Sequence, residues 1–391
     1  MSDTSAPPTG GRQFALRLAI FYSAIFALNG AYMPFFPVWL QASGLAPALI
    51  GLVMAAPTAA RLLSVPIVTA AAGRRDALPC SLMIASLLTF VGFLLLSGMK
   101  TAATIALLLW LTAWAWTPIF PLADAYALRG VAHYRLSYGP IRLWGSAAYM
   151  VGALVAGTLE SAFGAPNLAW TFVGFAGLIA LASLWLGPAG HVTPGPQAFA
   201  KPTALLTSPA FLSLLGAAAL IQGSHSAYYT FSAISWQAAG FSSATVSLLW
   251  MLCVAVEIVL FALSPRLRLS PATMIAIGGA GAVLRWLITA QEPPLALLAF
   301  AQTLHALSFG ATHLGTMGLL VQIVSGKHMP NAQGYIVTAS GIVMASTGIV
   351  CGSLFTSLGQ AIYYGMAAMA LIGMTIIMIA RPAIRRAVAR A

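Results

Sequence analysis

Asp124 and Arg142 each stand in an otherwise apolar, helix-length segment, and a short basic stretch with Arg129, His133 and Arg135 lies between them. Asp124 precedes His133 by nine residues and Arg142 follows it by nine. Two antiparallel helices joined at that stretch would bring the carboxylate and the guanidinium to similar depth. The chemistry on offer is ion pairing or anion capture, because the planar guanidinium fork matches a carboxylate. An arginine in an apolar setting needs an anion in every state, and Asp124 is the expected partner when no other anion is bound.

Further polar groups sit in apolar runs: Arg61, Glu257, Arg285, His225, His305 and His313. A charge at the centre of a membrane costs about 3 kcal/mol even on lenient scales, so such groups line cavities or pair with one another. By distance from the loops, Arg61, His225, Glu257 and His305 fall near mid-depth, and Arg285 nearer the outer face. A buried carboxylate such as Glu257 can take up and release a proton; the competing reading is a structural pair with an arginine. His305 can exchange a proton near neutral pH or bond two helices together. His313 is read as structural. Tyr149 follows Arg142 by two helical turns, and with Trp144 its ring could cover the apolar body of an anion or simply pack. Trp39 and Trp236 are read as interfacial belt residues. The run Tyr32 to Pro37 carries Pro34 and Pro37 and is expected to bend or break the outer end of the first helix, as a gate.

The elements that position these residues follow from composition. Of 391 residues, 60% are hydrophobic and 6% charged, against about 25% charged in a soluble domain. That excludes a soluble domain. The apolar runs have the length of membrane spans and lack the alternation of barrel strands, which leaves a helical bundle. The predicted fold is an all-α membrane protein of twelve transmembrane helices in two pseudo-symmetric six-helix halves. The spans fall at about 14–40, 46–72, 78–98, 102–128, 137–162, 166–187, 208–237, 242–264, 271–290, 294–324, 331–357 and 359–381.

Residues 1–13 form an N-terminal tail, 14–187 and 208–381 the two halves, 188–207 a Pro/Gly-rich linker and 382–391 a basic tail. Fourteen of the eighteen Lys and Arg fall in loops or tails on one side, Lys100 alone on the other, and three within spans. That bias places both termini in the cytoplasm; the expected location is the inner (plasma) membrane. The halves echo each other: at an offset of 196, Ala31, Tyr32, Phe35, Gln41, Ala42 and Gly44 match Ala227, Tyr228, Phe231, Gln237, Ala238 and Gly240. At that offset Arg61 falls on Glu257 and Asn29 on His225. Parallel six-helix repeats are a transporter architecture.

The net charge of +12 is dispersed over loops, so no nucleic-acid partner is expected. Cys80, Cys253 and Cys351 have no metal-ligand spacing and read as packing residues. There is no nucleotide-binding lysine loop, no GxSxG and no HExxH, so neither an enzyme nor an ATP-driven pump is expected.

At this point the chain resembles the major facilitator superfamily, over nearly its whole length. The likeness is to the lactose-permease-like branch and, more closely, its phenylpropionate-permease relatives. It is carried by PLADAY with Asp124, YGPIRLWG with Arg142, QGSHSAYY at 222–229, Glu257, Arg285 and QTLH ending at His305. The resemblance implies that Asp124, Arg142 and Tyr149 hold substrate, joined by Trp144, His225, Tyr228 and Tyr229. It also implies that Glu257, His305 and Arg285 serve coupling. In such permeases a glutamate follows the histidine by three residues; here that position is Ser308. The gating loop after the second span reads Ala72-Gly73-Arg74-Arg75-Asp76, without the usual aspartate before its basic residues, so gating is assigned to Arg61, Arg74, Arg75 and Asp76. The expected function is a monomeric proton-coupled symporter of a small aromatic acid. It would need no cofactor beyond the proton gradient, its partners being the solute, protons and the bilayer. A sugar or nucleoside symporter, an exporter on the same fold and a non-transporting membrane sensor are the alternatives.

Overall fold

The computed structural model describes residues 10–74, 77–188, 202–324 and 328–389. Among them there is no strand. The first unit-forming helices are α1 (Gly11–Ala42), α2 (Pro47–Arg74), α3 (Leu78–Leu96), α4 (Ala102–Tyr134), α5 (Tyr138–Phe163) and α6 (Leu168–Leu184). Then come α7 (Pro209–Gly223), α8 (Ser226–Ala238), α9 (Ser243–Leu263), α10 (Pro271–Thr289), α11 (Leu295–Thr303) and α12 (Thr312–Ile323). The last three are α13 (Met329–Leu358), α14 (Ile362–Ile379) and α15 (Arg381–Val388). Local sequence sets several starts. Ser208 and Ser270 cap α7 and α10 by accepting from the backbone N–H three residues on, and each is followed by a proline at the first helical position, where its missing N–H is harmless.

Among the described residues eleven helical stretches are long and apolar enough to cross a membrane; the last, Asn331–Ile379, takes in α14 and all but the first two residues of α13. Two stretches are interrupted. Pro209–Ala238 breaks at Ser224 and His225, between α7 and α8, and Leu295–Ile323 changes to a π-helix over Ala306–Ala311, just after His305. Irregular backbone in an apolar span is tolerated where protein covers it, and π-turns cluster at functional sites. Both irregularities fall beside the two histidines.

The helices gather into two compact units. The first holds α1, the part of α2 from Ala56, α3 to α6 and the start of α9 from Ser243 to Ser247. The second holds the start of α2 up to Ala55, α7, α8, the rest of α9 and α10 to α15. In the first unit α1 lies against α5 and α6, and α3 against α4 and α6. In the second, α7 lies against α13 and α14, and α10 against α12 and α14. The α1–α5 seam is tight. A Cβ at Gly30 would come 1.9 Å from the Tyr149 carbonyl oxygen, and one at Gly152 would come 2.1 Å from that of Ala27.

Four expectations are corrected. Pro34 and Pro37 do not break α1, which runs unbroken through both. Tyr32 there stacks on Phe36 at 4.4 Å and meets Trp116 at 4.7 Å, and this buried aromatic packing offsets the lost backbone bonds. Trp39 and Trp236 are not belt residues: they are 4% and 2% exposed. The fourth span does not end near 128, because α4 takes in Arg129 and His133 and ends at Tyr134. Part of the C-terminal tail is the helix α15, anchored by buried Ile384. Of the linker, Pro202–Thr207 is a 3-10 helix and residues 189–201 lie outside the described residues.

The seam predicts an asymmetry among glycines. Gly30→Ala should lower the stability of the detergent-purified protein by about 2 kcal/mol, the usual scale of overpacking. Gly174→Ala, where no atom lies within 4 Å of the added Cβ, should be neutral or stabilising by up to about 1 kcal/mol. Thermal unfolding of the two variants checks this, and equal melting temperatures would contradict it.

Candidate functional site

Two polar clusters stand out among the described residues, one in each unit. In the first unit Asp124 does not pair with Arg142. Its Oδ1 accepts from the Tyr22 hydroxyl at 2.5 Å and from the Tyr138 hydroxyl at 2.9 Å. The reason lies in the turn. Arg135 takes a left-handed conformation (φ 54°) and Ser137 is extended, so the chain resumes with Tyr138, one turn before Arg142, at the level of Asp124. The turn lies beyond His133, at Arg135 to Ser137, so Asp124 and Arg142 are not equidistant from it. Arg142 instead lies over the ring of Phe26 at 4.0 Å and that of Tyr22 at 5.3 Å. Among the described residues no carboxylate is within ion-pairing distance of it. Gly145 makes room for this pose: a Cβ there would lie 2.8 Å from Phe26 and 2.9 Å from Arg142 Nη1.

The second cluster surrounds Arg285, which has no exposed surface. Nη1 donates to His305 Nδ1 at 2.9 Å and to Ser308 Oγ at 3.4 Å. Nη2 donates to Gln302 Oε1 at 2.9 Å and Cys253 Sγ at 3.6 Å. The guanidinium also lies 4.3 Å from the Tyr228 ring centre and 4.6 Å from that of Trp286. An arginine can only donate, so His305 Nδ1 must accept and its ring proton sits on Nε2. That nitrogen faces Glu257 Oε2 at 3.4 Å. A second tautomer follows in the same way. His225 Nδ1 lies 3.1 Å from the Ile221 carbonyl and 3.2 Å from that of Gln222, so it donates there. Its Nε2, 3.1 Å from Ser308 Oγ, is left to accept. The break between α7 and α8 directs those carbonyls at the ring. Arg285 Nε and Gln302 Nε2 have no partner among the described residues, which makes the cluster rich in donors.

Other expected site residues fall as follows. Trp144, two residues from Arg142, points off the opposite side of α5 and is 61% exposed; it does not share a face with Arg142 and Tyr149. Tyr149 is half-buried on the Arg142 face, its backbone against Gly30. His225 is fully buried and Tyr228 is 1% exposed and stacked on Trp250 at 4.5 Å, whereas Tyr229 is half-buried. Arg285 stands four residues before the end of α10, and the reach of its side chain brings its guanidinium to His305. His313 is exposed and stacks on Phe309. Arg61 is exposed on α2, and Arg74 ends that helix. Arg75 and Asp76 lie outside the described residues.

Several members of these clusters were not read as site residues from sequence. Tyr22 and Phe26 are four apart on α1, and Tyr138 is four before Arg142, so helical spacing could have found them. Gln302 and Ser308 flank His305 by three residues each, and Cys253 precedes Glu257 by four. Cys253 is not a mere packing residue: besides meeting Arg285 its thiol donates to Gln302 Oε1 at 3.0 Å.

Solved structures place this architecture in a class. A variant of the nucleoside transporter NupG aligns with TM-score 0.81 at 17% identity, covering 94% of this chain and 99% of that one. A D-xylose-proton symporter aligns with TM-score 0.71 at 12% identity, covering 93% and 97%. The fold is that of the major facilitator transporters, and the protein is an integral membrane transporter rather than an enzyme. The MFS_1 like family matches residues 15–366, and the chain belongs to that family. It is 31% identical over 363 residues to a probable 3-phenylpropionic acid transporter of Escherichia coli (strain K12), spanning 90% of this chain and 94% of that protein.

The anchoring of Asp124 predicts that Tyr22→Phe and Tyr138→Phe each destabilise the protein by about 1.5–3 kcal/mol, as expected for a hydrogen bond to a charged acceptor. Arg142→Ala should cost less than the double Tyr22→Phe/Tyr138→Phe change. A larger loss for Arg142→Ala in chemical or thermal unfolding would restore Arg142 as the main partner of Asp124.

Proposed function

We propose that this protein is a proton-coupled symporter of a small aromatic acid of the phenylpropionate type. It spans the inner membrane twelve times, with α13 and α14 counted separately and both termini cytoplasmic, and works by alternating access. The observation that carries the reading is the state of Arg142. Arg142 is half-buried, its guanidinium is flanked by aromatic rings and has no carboxylate partner among the described residues, while Asp124 is already satisfied by two hydroxyls. A substrate carboxylate can take the guanidinium fork without displacing an ion pair. Half-buried Phe26 lies beside it and can contact an aromatic body, with buried Tyr22 packed behind. The 31% identity to a probable 3-phenylpropionic acid transporter supports the same substrate class.

Coupling is assigned to Glu257 acting through His305. Ser308 stands where permeases of this type carry a glutamate, and its hydroxyl is committed to His225 and Arg285. His305 is held as the neutral Nε2–H tautomer by Arg285. Glu257 is then the one carboxylate of the second cluster among the described residues, and it balances Arg285 through the imidazole. Loading a proton on Glu257 removes that balance. This gives the second unit two electrostatic states, the kind of difference a coupled transporter needs.

Two outcomes test the proposal in proteoliposomes. 3-Phenylpropionate should accumulate only under an inward proton gradient, against a panel of sugars and nucleosides that should not. Glu257→Gln should abolish accumulation against a gradient and leave substrate exchange measurable. Accumulation by Glu257→Gln would move the proton to another group. In equilibrium binding, Arg142→Lys should weaken the carboxylate by about 2 kcal/mol, roughly thirtyfold, because lysine keeps the charge but loses the fork. Wild-type affinity in folded Arg142→Lys would place the substrate site elsewhere.

A further inference from the structure

The first unit has a feature that the transport chemistry does not use. A groove of about 960 Å³ runs between α1, α5 and α6. Its floor on α1 is a line of small side chains at helical spacing, Ala15, Ala19, Ser23 and Ala27. Its walls include Trp144 of α5 and Leu181 and Trp185 at the end of α6, each more than half exposed. Large apolar side chains thus flank the gap and leave it unfilled. The groove stops where the α1–α5 seam closes: Ala27 lines it, and the Ala27 carbonyl is the atom that meets Gly152. At the other end stands Arg12, exposed, on the same face of α1 as Ala15. Trp185 lies at that end too, since Gly187 packs beside the Arg17 guanidinium.

We propose that this groove is a binding site for one anionic phospholipid, with an acyl chain along the α1 floor and the phosphate at Arg12. Length supports a lipid of one leaflet. From Arg12 to Ala27 the helix rises about 22 Å at 1.5 Å per residue. Half a bilayer with its headgroup layer is about 20–22 Å. Charge supports an anionic headgroup, because Arg12, at one end of the groove, is the only ionic side chain lining it among the described residues. The indoles of Trp144 and Trp185 suit the flanks of such a site, each presenting an apolar ring and one N–H donor.

The test uses the full-length protein in phosphatidylcholine vesicles that contain brominated phosphatidylglycerol or brominated phosphatidylcholine at equal mole fraction. Bromine quenches nearby indoles, and the signal of this site is the difference between wild type and Trp144→Phe/Trp185→Phe. The anionic lipid should quench that signal about fivefold more effectively, the factor one basic residue contributes near an anionic headgroup. Arg12→Gln should bring the ratio to near one. Arg268→Gln, which removes an exposed charge outside the groove, should leave it unchanged. Equal quenching in wild type would overturn the proposal and make the groove an ordinary lipid face. A preference that survives Arg12→Gln, or that is lost equally in Arg268→Gln, would overturn it as well.

Discussion

A guanidinium with no exposed surface is among the most demanding groups a helical membrane protein can hold, and the second unit is arranged around Arg285. Its charge is met by neutral acceptors, an imidazole, a hydroxyl, an amide and a thiol, with the carboxylate one step away behind His305. In a low-dielectric interior each of those bonds is strong, and each unmade bond is costly. The rest follows from this constraint. Ring tautomers are dictated by a group that can only donate, and Ser308 is tied between Arg285 and His225. The irregular backbone of two spans lies beside the histidines that complete the network.

The first unit solves a similar problem differently. Asp124 has hydroxyl donors and needs no cation, and Arg142 rests on aromatic faces that attract cations without neutralising them. One unit therefore holds a cation closed within a network, and the other holds a cation with its fork unspent. The proposed coupling and substrate roles rest on this difference between the two clusters. It also reverses the simplest reading of two opposite charges in neighbouring helices, in which they spend each other.

Much of the fold was legible because membrane spans are written in composition. Length and apolar runs locate helices whose boundaries tertiary packing changes by a few residues. Where packing decided, the local signal pointed elsewhere. Pro34 and Pro37 signal a break, but buried rings around Tyr32 hold the helix through them. Trp39 and Trp236 have the position of belt residues, and neighbouring helices cover them.

The candidate sites divide in the same way. From sequence alone, the residue types were already determined: Asp124, Arg142, Glu257, Arg285 and His305 stand out because charge in an apolar run is expensive, and that cost is local to each residue. Their partners were not determined. Pairing depends on the direction a side chain leaves its helix and on the register set by a turn, such as the left-handed Arg135 that brings Tyr138 rather than Arg142 to Asp124. Tyr22, Phe26, Cys253, Gln302 and Ser308 are ordinary in an apolar chain and become site residues only through contacts between different helices. A one-dimensional pattern can say that a buried charge must be satisfied; which group satisfies it is a matter of distances in three dimensions, and only the tertiary structure decided that.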